Sequence, residues 1–324
     1  MLIGAIADDL TGATDLALTL SRGGMRVLQV VGIPTVSDFG LAEAVVVALK
    51  SRTIPADQAV AQSTAAAQAL LAGGAKQILF KYCSTFDSTD QGNIGPVIDA
   101  LMDLLGENRT IACPAFPANG RRVYRGHLFV NDQLLCDSSM KDHPLTPMRD
   151  ANLLRVLQRQ TKRPVSLIPH EVVNDRAALQ NSLNRLQGIA IVDALSNADL
   201  CAIGHAACGF RLVTGGAGIA LGLPENLLPA ERAVEPKTLA VTPGRGIILA
   251  GSCSAATRGQ VDSAIAAGVP ALQLDVLDIA YHRITLADAV DFFLAAEGYL
   301  PPLIYTIAHA TAVQAVQQQL VRDQ

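Results

Sequence analysis

Apolar residues occur along the chain in short continuous runs, separated by longer stretches with helical spacing. The runs predict strands at Leu2–Ala7, Val27–Val31, Ala44–Ala48, Gln77–Phe80, Thr110–Ala112, Val165–Ile168, Ile189–Val192 and Arg211–Thr214. Segments between them, such as Ala56–Leu71 and Asn93–Leu105, are rich in Ala and Leu and predict helices. Because the strand runs do not alternate with polar residues, both faces of each strand should be buried. This pattern predicts an α/β fold, with a mostly parallel sheet flanked by helices.

A change in composition at residues 223–246 interrupts this pattern. The stretch "LPENLLPAERAVEPKTLAVTPGRG" contains four prolines with charges between them, which is typical of a linker. Strands and helices are then predicted again, at Ile247–Ala250, Ala255–Ala267, Ala271–Leu274, Leu286–Ala296, Leu303–Ile307 and Ala310–Val321. We therefore expect a first domain at residues 1–225, a linker at 226–246 and a second α/β domain at 247–324. The second is short for a domain of this type.

Composition and charge narrow the classes of function. The chain of 324 residues has a net charge of −4 and no basic block, which argues against nucleic acid as its main ligand. Its six cysteines form no C-x-x-C pair, so neither a zinc site nor a disulfide framework is indicated. No signal peptide and no apolar run of membrane-spanning length are recognised. We expect a soluble, cytoplasmic protein with free thiols.

Two adjacent aspartates, Asp8 and Asp9, follow the first predicted strand in "IGAIADDLTGATD". Ligands gather at the carboxyl ends of parallel strands, and Gly12 would let the backbone approach a ligand closely. One aspartate could instead cap the following helix while the other is solvated. As functional groups, the two could bind hydroxyl groups, a metal ion or the proton of a reacting alcohol. The sequence leaves these roles open.

Cations and hydroxyl groups follow two further predicted strands. The stretch "KYCSTFDSTDQGNIG" begins at Lys81, offers hydroxyl groups from Ser84 onward, and contains a carboxylate at Asp87. Arg52 follows the strand at Ala44–Ala48. An ammonium group, hydroxyl groups and a helix N-terminus suit a carboxylate or phosphate, although either cation could be a solvated surface charge. The Pro/Gly-rich stretch that follows, "CPAFPANGRRVYRGHLFV", is predicted to be a long loop whose His127 is more typical of a structural histidine than of a base.

The predicted second domain contains a small-residue turn in "ILAGSCSAATRGQV", between a strand and a helix. The turn would present backbone N–H groups and the hydroxyl groups of Ser252 and Ser254 to an anion. It has neither the spacing of a dinucleotide fingerprint nor the lysine of a Walker A loop, and it is not a nucleophile elbow. A tight turn without a ligand is the alternative. Together, the two domains suit a transferase that binds a small polyol acid and nucleotide phosphates.

Several stretches, in order along most of the chain, resemble the four-carbon acid sugar kinase family: "IADDLTGATD", "KYCSTFDSTDQGNIGP", "CPAFPANGRRVYRGHLFV", "HPLTPM", "TGGAGIALGLP" and "LAGSCSAAT". The third and fourth are most similar to its 3-oxo-tetronate 4-kinase branch. The resemblance implies an N-terminal sugar-acid domain and a C-terminal nucleotide domain, and phosphorylation of the terminal hydroxyl of a four-carbon acid by ATP. Later glycine-rich stretches of the family, resembling G-G-E-T-S-G and K-S-G-N-F-G, have no counterpart here. The nucleotide domain is therefore expected to be partial.

The resemblance also implies roles for particular residues. It places substrate contacts on Asp8, Asp9, Arg52, Lys81, Tyr82, Cys83 and Ser84, and an ATP contact on Ser254. We expect Arg52 and Lys81 to bind the substrate carboxylate, and Asp9 or Asp8 to accept the proton of the C4 hydroxyl of 3-oxo-tetronate. Mg²⁺ should bridge the ATP phosphates, and no protein metal ligand is assigned.

Three other interpretations stay open. One is a kinase of D-threonate or D-erythronate, and another is a sugar-acid-binding protein without catalytic activity. The third is an aldolase or lyase that uses Lys81 as a Schiff base. Whether the chain forms a homo-oligomer is also open.

Overall fold

Eight parallel strands form the main sheet of this protein. The structure, a computed structural model, describes residues 1–35, 38–143, 145–229, 243–251, 254–306 and 319. The chain divides into two compact units, Met1–Pro236 and Lys237–Gln324. The main sheet belongs to unit 1 and a second, smaller sheet belongs to unit 2.

All eight strands predicted for the first part of the chain are present, with ends that differ by at most one residue. They are β1 (Ile3–Ala7), β2 (Val27–Val31), β3 (Ala44–Ala48), β4 (Gln77–Lys81), β5 (Arg109–Cys113), β9 (Val165–Ile168), β10 (Gly188–Val192) and β11 (Leu212–Gly215). Their order in the sheet is β2-β3-β1-β4-β11-β5-β10-β9, and all neighbours are parallel. Every residue of β1, β3, β4 and β10 is buried, as their continuous apolar runs predict.

Helices connect these strands and cover the sheet. They are α1 (Leu10–Arg22), α2 (Ala56–Ala72), α3 (Ile94–Leu105), α4 (Leu153–Gln158), α5 (His170–Val173), α6 (Arg176–Arg185), α7 (Asn197–Ala206) and α8 (Pro224–Leu227). Short 3-10 helices lie at Pro117–Asn119, Leu135–Asp137, Ser139–Asp142 and Ala217–Gly222. The mostly parallel α/β fold predicted from the sequence is confirmed. No helix in the described part of the chain has the length and apolar character to cross a membrane.

The Pro/Gly-rich stretch at residues 113–130 is not the irregular loop that was predicted. It contains β6 (Arg121–Tyr124) and β7 (His127–Val130), which pair antiparallel with each other. A third strand, β8 (Gln133–Leu134), extends this small sheet. Apolar and polar residues alternate here, with Val123 and Leu128 buried against the core and their neighbours more exposed. The prediction of a loop was therefore wrong in this segment.

Unit 2 contains a three-stranded parallel sheet in the order β12-β14-β13. Its elements are β12 (Ile248–Ala250), α9 (Ala255–Ala266), β13 (Ala271–Gln273), α10 (Val276–Ala280), α11 (Leu286–Ala295) and β14 (Leu303–Tyr305). Its core is small, with Val261, Val269 and Leu303 buried together. The helix predicted at 310–321 lies outside the described residues, apart from residue 319.

Candidate functional site

The register of three neighbouring strands brings their carboxyl ends to one level. In this register, Ala7 at the end of β1 is paired with Ala48 of β3 on one side and with Lys81 of β4 on the other. The next residue, Asp8, donates its backbone N–H to the carbonyl of Lys81 at 3.0 Å. Its own carbonyl accepts the backbone N–H groups of Ser51 and Arg52. The predicted site residues after β1, β3 and β4 are therefore held together by the backbone itself.

Arg52 lies among three carboxylates. It binds Asp8 through two hydrogen bonds, Nε to Oδ2 at 2.9 Å and Nη2 to Oδ1 at 2.8 Å. Nη2 also lies 2.8 Å from Oδ1 of Asp9, and Nη1 lies 3.6 Å from Oδ2 of Asp87. The side chain of Asp8 is only 3% exposed, whereas that of Arg52 is 20% exposed. The cluster thus has one buried, fully bonded carboxylate and a guanidinium with an accessible edge.

Burial and charge act in opposite directions on this pair. Burial raises the pKa of Asp8, while the hydrogen bonds and the charge of Arg52 act to lower it. Burial alone would lower the pKa of Arg52, but the hydrogen bond and charge of Asp8 raise it above its ordinary value. Arg52 therefore stays protonated, and its position is fixed by a two-point contact that a lysine could not reproduce.

Asp9 forms the N-cap of α1. Its Oδ1 accepts the backbone N–H of Gly12 at 2.8 Å, as in an ordinary helix cap. Its Oδ2 has no hydrogen-bond partner in the described part of the chain, and its side chain is 30% exposed. Asp9 therefore has the helix-cap role considered from the sequence, and it also presents an open carboxylate oxygen.

Lys81 is buried beside this cap. Only 3% of the residue is exposed, and its Nζ donates to the carbonyl of Tyr82 at 2.8 Å. A Cβ atom at Gly12 would lie 2.8 Å from this Nζ and 2.4 Å from Oδ1 of Asp9. The absence of a side chain at position 12 is therefore what lets the lysine ammonium and the Asp9 carboxylate approach the same turn.

The segment after Lys81 contributes through both its backbone and its side chains. The Tyr82 ring is fully buried, contacts Phe80 and Phe86 edge-on, and its hydroxyl lies 3.1 Å from Oγ1 of Thr214. What Tyr82 offers at the surface of the cluster is its carbonyl, which holds Lys81. Burial raises the pKa of Cys83 to about 11, and the charge of Asp87 adds to this effect, so its thiol is neutral near pH 7. Ser84 is half-buried, and its hydroxyl has no partner in the described chain.

Three residues of this cluster were not singled out as site residues from the sequence. Asp87 pairs with Arg52 and accepts a 2.6 Å hydrogen bond from Thr85. Asp15 lies one helical turn after Gly12, and burial raises its pKa while the charge of Lys81 acts to lower it. Asn93, 5% exposed, donates from Nδ2 to the carbonyls of Ser51, Arg52 and Ile54, and so fixes the loop that carries Arg52.

His127 is hydrogen-bonded within the chain. Its Nδ1 lies 2.9 Å from the carbonyl of Arg125, and its Nε2 lies 3.3 Å from Nδ2 of Asn152. Both ring nitrogens thus have partners, as expected of a structural histidine.

The predicted anion-binding turn of unit 2 is described in part. Ser254 caps α9, and its Oγ accepts the backbone N–H of Thr257 at 3.1 Å. Ser252 lies outside the described residues. A cavity of about 400 Å³ adjoins the turn, lined among others by Gly251, Thr257 and the strand residues Ile248 and Leu249. The helix N-terminus and an apolar cavity therefore occur side by side in this unit.

The described part of the chain contains no cluster of three or more His, Cys, Asp or Glu side chains positioned to ligate a metal ion. Asp8, Asp9 and Asp87 converge instead on the guanidinium of Arg52.

Comparison with known proteins relates both units to characterised domains. Residues 3–223 match the family described as a sugar-binding N-terminal domain, and residues 247–324 match a nucleotide-binding C-terminal domain. A protein of Cupriavidus necator named 3-oxo-tetronate kinase is 53% identical to this chain. The alignment is 330 positions long and covers 98% of this chain and 76% of that protein.

Solved structures share the fold of this chain. A Salmonella typhimurium LT2 protein, described as a putative tRNA synthase, is 40% identical with a TM-score of 0.79, covering 98% of this chain and 77% of that one. A Bordetella bronchiseptica protein, crystallised with bound citrate as a domain-swapped dimer, is 25% identical with a TM-score of 0.62; the match covers 95% and 75% of the two chains.

The two matched domains and the extent of the similarity agree with the order of motifs in the sequence. A kinase of this kind transfers a phosphoryl group from ATP to an alcohol group of its acceptor. The chain therefore belongs to the four-carbon acid sugar kinase family and is a phosphotransferase that acts on a sugar acid.

Proposed function

We propose that this chain phosphorylates the C4 hydroxyl of 3-oxo-tetronate with ATP, giving 3-oxo-tetronate 4-phosphate. The name of the Cupriavidus necator relative supports this choice of acceptor, because 53% identity extends over nearly the whole chain. The observation that carries the proposal is the cluster at the ends of β1, β3 and β4. There an open carboxylate lies next to a buried ammonium group and a guanidinium edge. These are the groups needed to orient a small hydroxylated anion.

Asp9 is the proposed general base. Both oxygens of Asp8 are engaged by Arg52, and the residue is almost completely buried. Asp9 has an unbonded Oδ2 and a partly exposed side chain, so it can accept the proton of the attacking hydroxyl. The role of Asp8 in this proposal is to hold Arg52 in place.

Lys81, Arg52 and Ser84 are the proposed contacts of the sugar acid. The substrate carboxylate would meet the Lys81 ammonium and the exposed edge of Arg52, and the Ser84 hydroxyl would donate to a substrate oxygen. Backbone groups of Tyr82 and Cys83 would complete this side of the site. The net effect is to place the terminal hydroxyl at Asp9 for attack on the γ-phosphoryl group.

Ser254 and the N-terminus of α9 are the proposed contact of unit 2 with the ATP phosphates. A hydroxyl at the N-cap and backbone N–H groups at the start of a helix suit a phosphate oxygen. Ser252, in the same turn, is retained as a second contact. Mg²⁺ bound by the β- and γ-phosphates would neutralise charge during transfer.

The same chemistry fits a cytoplasmic enzyme. The five described cysteines outside position 253 are free, as expected of a reducing compartment in which ATP is abundant. The domain-swapped dimer of the Bordetella relative supports a homo-oligomeric state for this chain as well.

Steady-state assays of two variants test the site. Asp9→Asn removes the proposed base and Lys81→Met removes the proposed carboxylate contact at similar volume, so each should lower turnover of 3-oxo-tetronate more than tenfold, or about 1.4 kcal/mol. Asp57→Asn, an exposed aspartate in the first turn of α2, is the matched control and should leave the rate unchanged. Near-normal rates for both site variants would contradict the assignment.

Parallel assays with 3-oxo-tetronate, D-threonate and D-erythronate test the acceptor. The proposal predicts the highest kcat/KM for 3-oxo-tetronate. A preference for D-threonate or D-erythronate would retain the kinase but replace the substrate. Calorimetry with ATP supplies an independent check, since a chain with sugar-acid affinity and no nucleotide affinity would be a binding protein only.

A further inference from the structure

A cavity of about 730 Å³ lies within unit 1, next to the Arg52 cluster but not lined by it. Four segments form its walls: residues 88–91 of the loop after β4, Cys136, residues 147–150, and the end of α4, which contributes Arg155 and Val156 and is followed by Arg159. Its volume is that of a site for a small organic molecule and exceeds what a four-carbon acid fills. The chemistry of its lining indicates what such a molecule would carry.

The cavity is lined by three arginines and two aspartates, so one arginine has no aspartate of the lining as its partner. Asp150 accepts two hydrogen bonds from Arg155, at 2.9 and 2.6 Å. These hydrogen bonds are the main reason why the pKa of Asp150 lies below its usual value. Asp90 pairs with Arg159 at 2.8 Å. Both acids of the cavity are thus already neutralised. Arg149, which also lines the cavity, has no ion pair or hydrogen bond in the described part of the chain.

A buried hydroxyl group provides a second, independent feature. Ser88 is 3% exposed, and its Oγ accepts a hydrogen bond from Nε2 of Gln160 at 2.9 Å. Its own proton has no acceptor in the described chain, although the residue lines the cavity. The neighbouring Thr89 hydroxyl also has no described partner. Two hydroxyl donors and one guanidinium therefore lack acceptors around the same space.

The loop that carries the two hydroxyl donors is held in place by Gln160. Gln160 also donates to the carbonyl of Thr89 at 2.6 Å and accepts the backbone N–H of Gly95 at 2.9 Å, which ties the 88–91 loop to the start of α3. The floor of the cavity is formed by Met148 and Val156, which are apolar and only 2% and 3% exposed. A ligand that matches both parts would have acceptor oxygens at one end and an apolar body at the other.

We propose that this cavity binds an organic anion through a phosphoryl or carboxylate group that contacts Arg149, Ser88 and Thr89. Arginine suits both groups, because its planar fork can donate two parallel hydrogen bonds to either. The site is distinct from the cluster of Asp9, Arg52 and Lys81, and it does not depend on the acceptor proposed above. Residues 88–91 follow directly after Asp87, which pairs with Arg52. A ligand in the cavity would therefore lie beside the segment that contributes Asp87 to the other cluster.

Isothermal titration calorimetry of the whole chain with phenyl phosphate, inorganic phosphate and benzoate tests this proposal. Phenyl phosphate should bind with one saturable site and more tightly than inorganic phosphate, because only the former covers the apolar floor. Arg149→Gln should weaken phenyl phosphate binding at least tenfold, and Thr89→Val should weaken it about threefold. The affinity for benzoate then tells whether the anionic group is a carboxylate or a phosphoryl group.

Two control variants keep the outcome unambiguous. Arg185→Gln alters an exposed arginine at the end of α6, away from the cavity, and should leave binding unchanged. Lys81→Met should also leave it unchanged, since Lys81 belongs to the other cluster. The proposal is overturned if none of the three probes saturates, if Arg149→Gln binds like the parent chain, or if Lys81→Met loses binding while Arg149→Gln retains it.

Discussion

The strand–turn–helix segments that begin with β1 and β12 have the same construction but very different surroundings. In both, an N-cap side chain accepts the backbone N–H of the third helical residue: Asp9 from Gly12 and Ser254 from Thr257. The turn after β1 is flanked by Arg52, from the loop after β3, and by Lys81 at the end of β4. In contrast, β12 is an edge strand whose Leu249 is 72% exposed.

This difference shows what a buried sheet adds to a common motif. A helix cap alone already creates a place for an anion. In unit 1, strands buried on both faces hold Asp8, Arg52 and Lys81 in fixed register, so opposite charges can be kept close together in a nearly dry environment. Variants that are matched between the two units can measure this contrast.

The largest expected effect is on stability. Arg52→Ala leaves the carboxylate of Asp8 buried without its partner, which should destabilise the surrounding strands by about 3–5 kcal/mol. Arg283→Ala in unit 2 removes a partner of Asp278, where the paired side chains are 58% and 35% exposed, and should cost less than about 1 kcal/mol. Hydrogen exchange of the amides of β1 and β4, and separately of α10 and α11, measures each effect. Equal losses in the two units would remove the contrast.

Glycine substitutions should affect activity in one unit only. Gly12→Ala places a Cβ against both Oδ1 of Asp9 and Nζ of Lys81, so kcat/KM for the sugar acid should fall more than tenfold. In Gly259→Ala, within α9, the new Cβ meets no atom of the described residues within 4 Å, and the change should stabilise that helix by about 1 kcal/mol. Steady-state kinetics and hydrogen exchange of both variants provide the measurement. Normal kinetics of the Gly12→Ala enzyme would show that activity does not depend on the close approach of Asp9 and Lys81 to this turn.

The smallest effect is expected at the helix caps of unit 2. Ser254→Ala and Thr285→Ala each remove an N-cap hydroxyl, from α9 and α11, and each should lower local stability by about 1 kcal/mol. Only Ser254→Ala should also raise KM for ATP, by about threefold, the value of one lost hydrogen bond. If both variants raise KM equally, the change reflects helix stability and not a phosphate contact.

The strands that position the site were predictable because their apolar runs are unbroken. β1, β3 and β4 are buried on both faces, so the hydrophobic signal at Ile3–Ala7 or Ala44–Ala48 is local and strong. The polar residues that follow each strand were therefore expected at one edge of the sheet. Their pairing was not predictable, since the contact of Arg52 with both aspartates depends on rotamers that the sequence does not encode locally.

The hairpin of β6 and β7 could not be recognised for a different reason. Its two-residue turn is Arg125–Gly126, with φ of 51° and 70°, whereas such turns usually carry Asn-Gly or Asp-Gly. The turn is held by Asp193, whose carboxylate accepts the backbone N–H groups of both turn residues at 2.7 and 2.9 Å. The turn is therefore stabilised by a residue some seventy positions away in the sequence and not by a local Asn-Gly or Asp-Gly motif.

Asp87 was named from the sequence as a carboxylate of its segment but was given no role in the site, because its contact with Arg52 depends on an unusual backbone. Phe86 and Asp87 both have positive φ, 65° and 43°, a conformation that is uncommon for residues other than glycine. This pair of residues turns the Asp87 carboxylate back toward Arg52. The only available signal was the presence of a carboxylate shortly after a strand end.

The strand order has a consequence for how the protein is made. β4 lies between β1 and β11, and the backbone N–H of Tyr82 donates to the carbonyl of Gly215 at 3.0 Å. During translation, every residue of the charged cluster leaves the ribosome long before Leu212–Gly215 does. Until then, β4 presents an open hydrogen-bonding edge to the nascent chain's surroundings, which is a template for mispairing. Completion of the Lys81 segment therefore coincides with synthesis of the last strand of the main sheet.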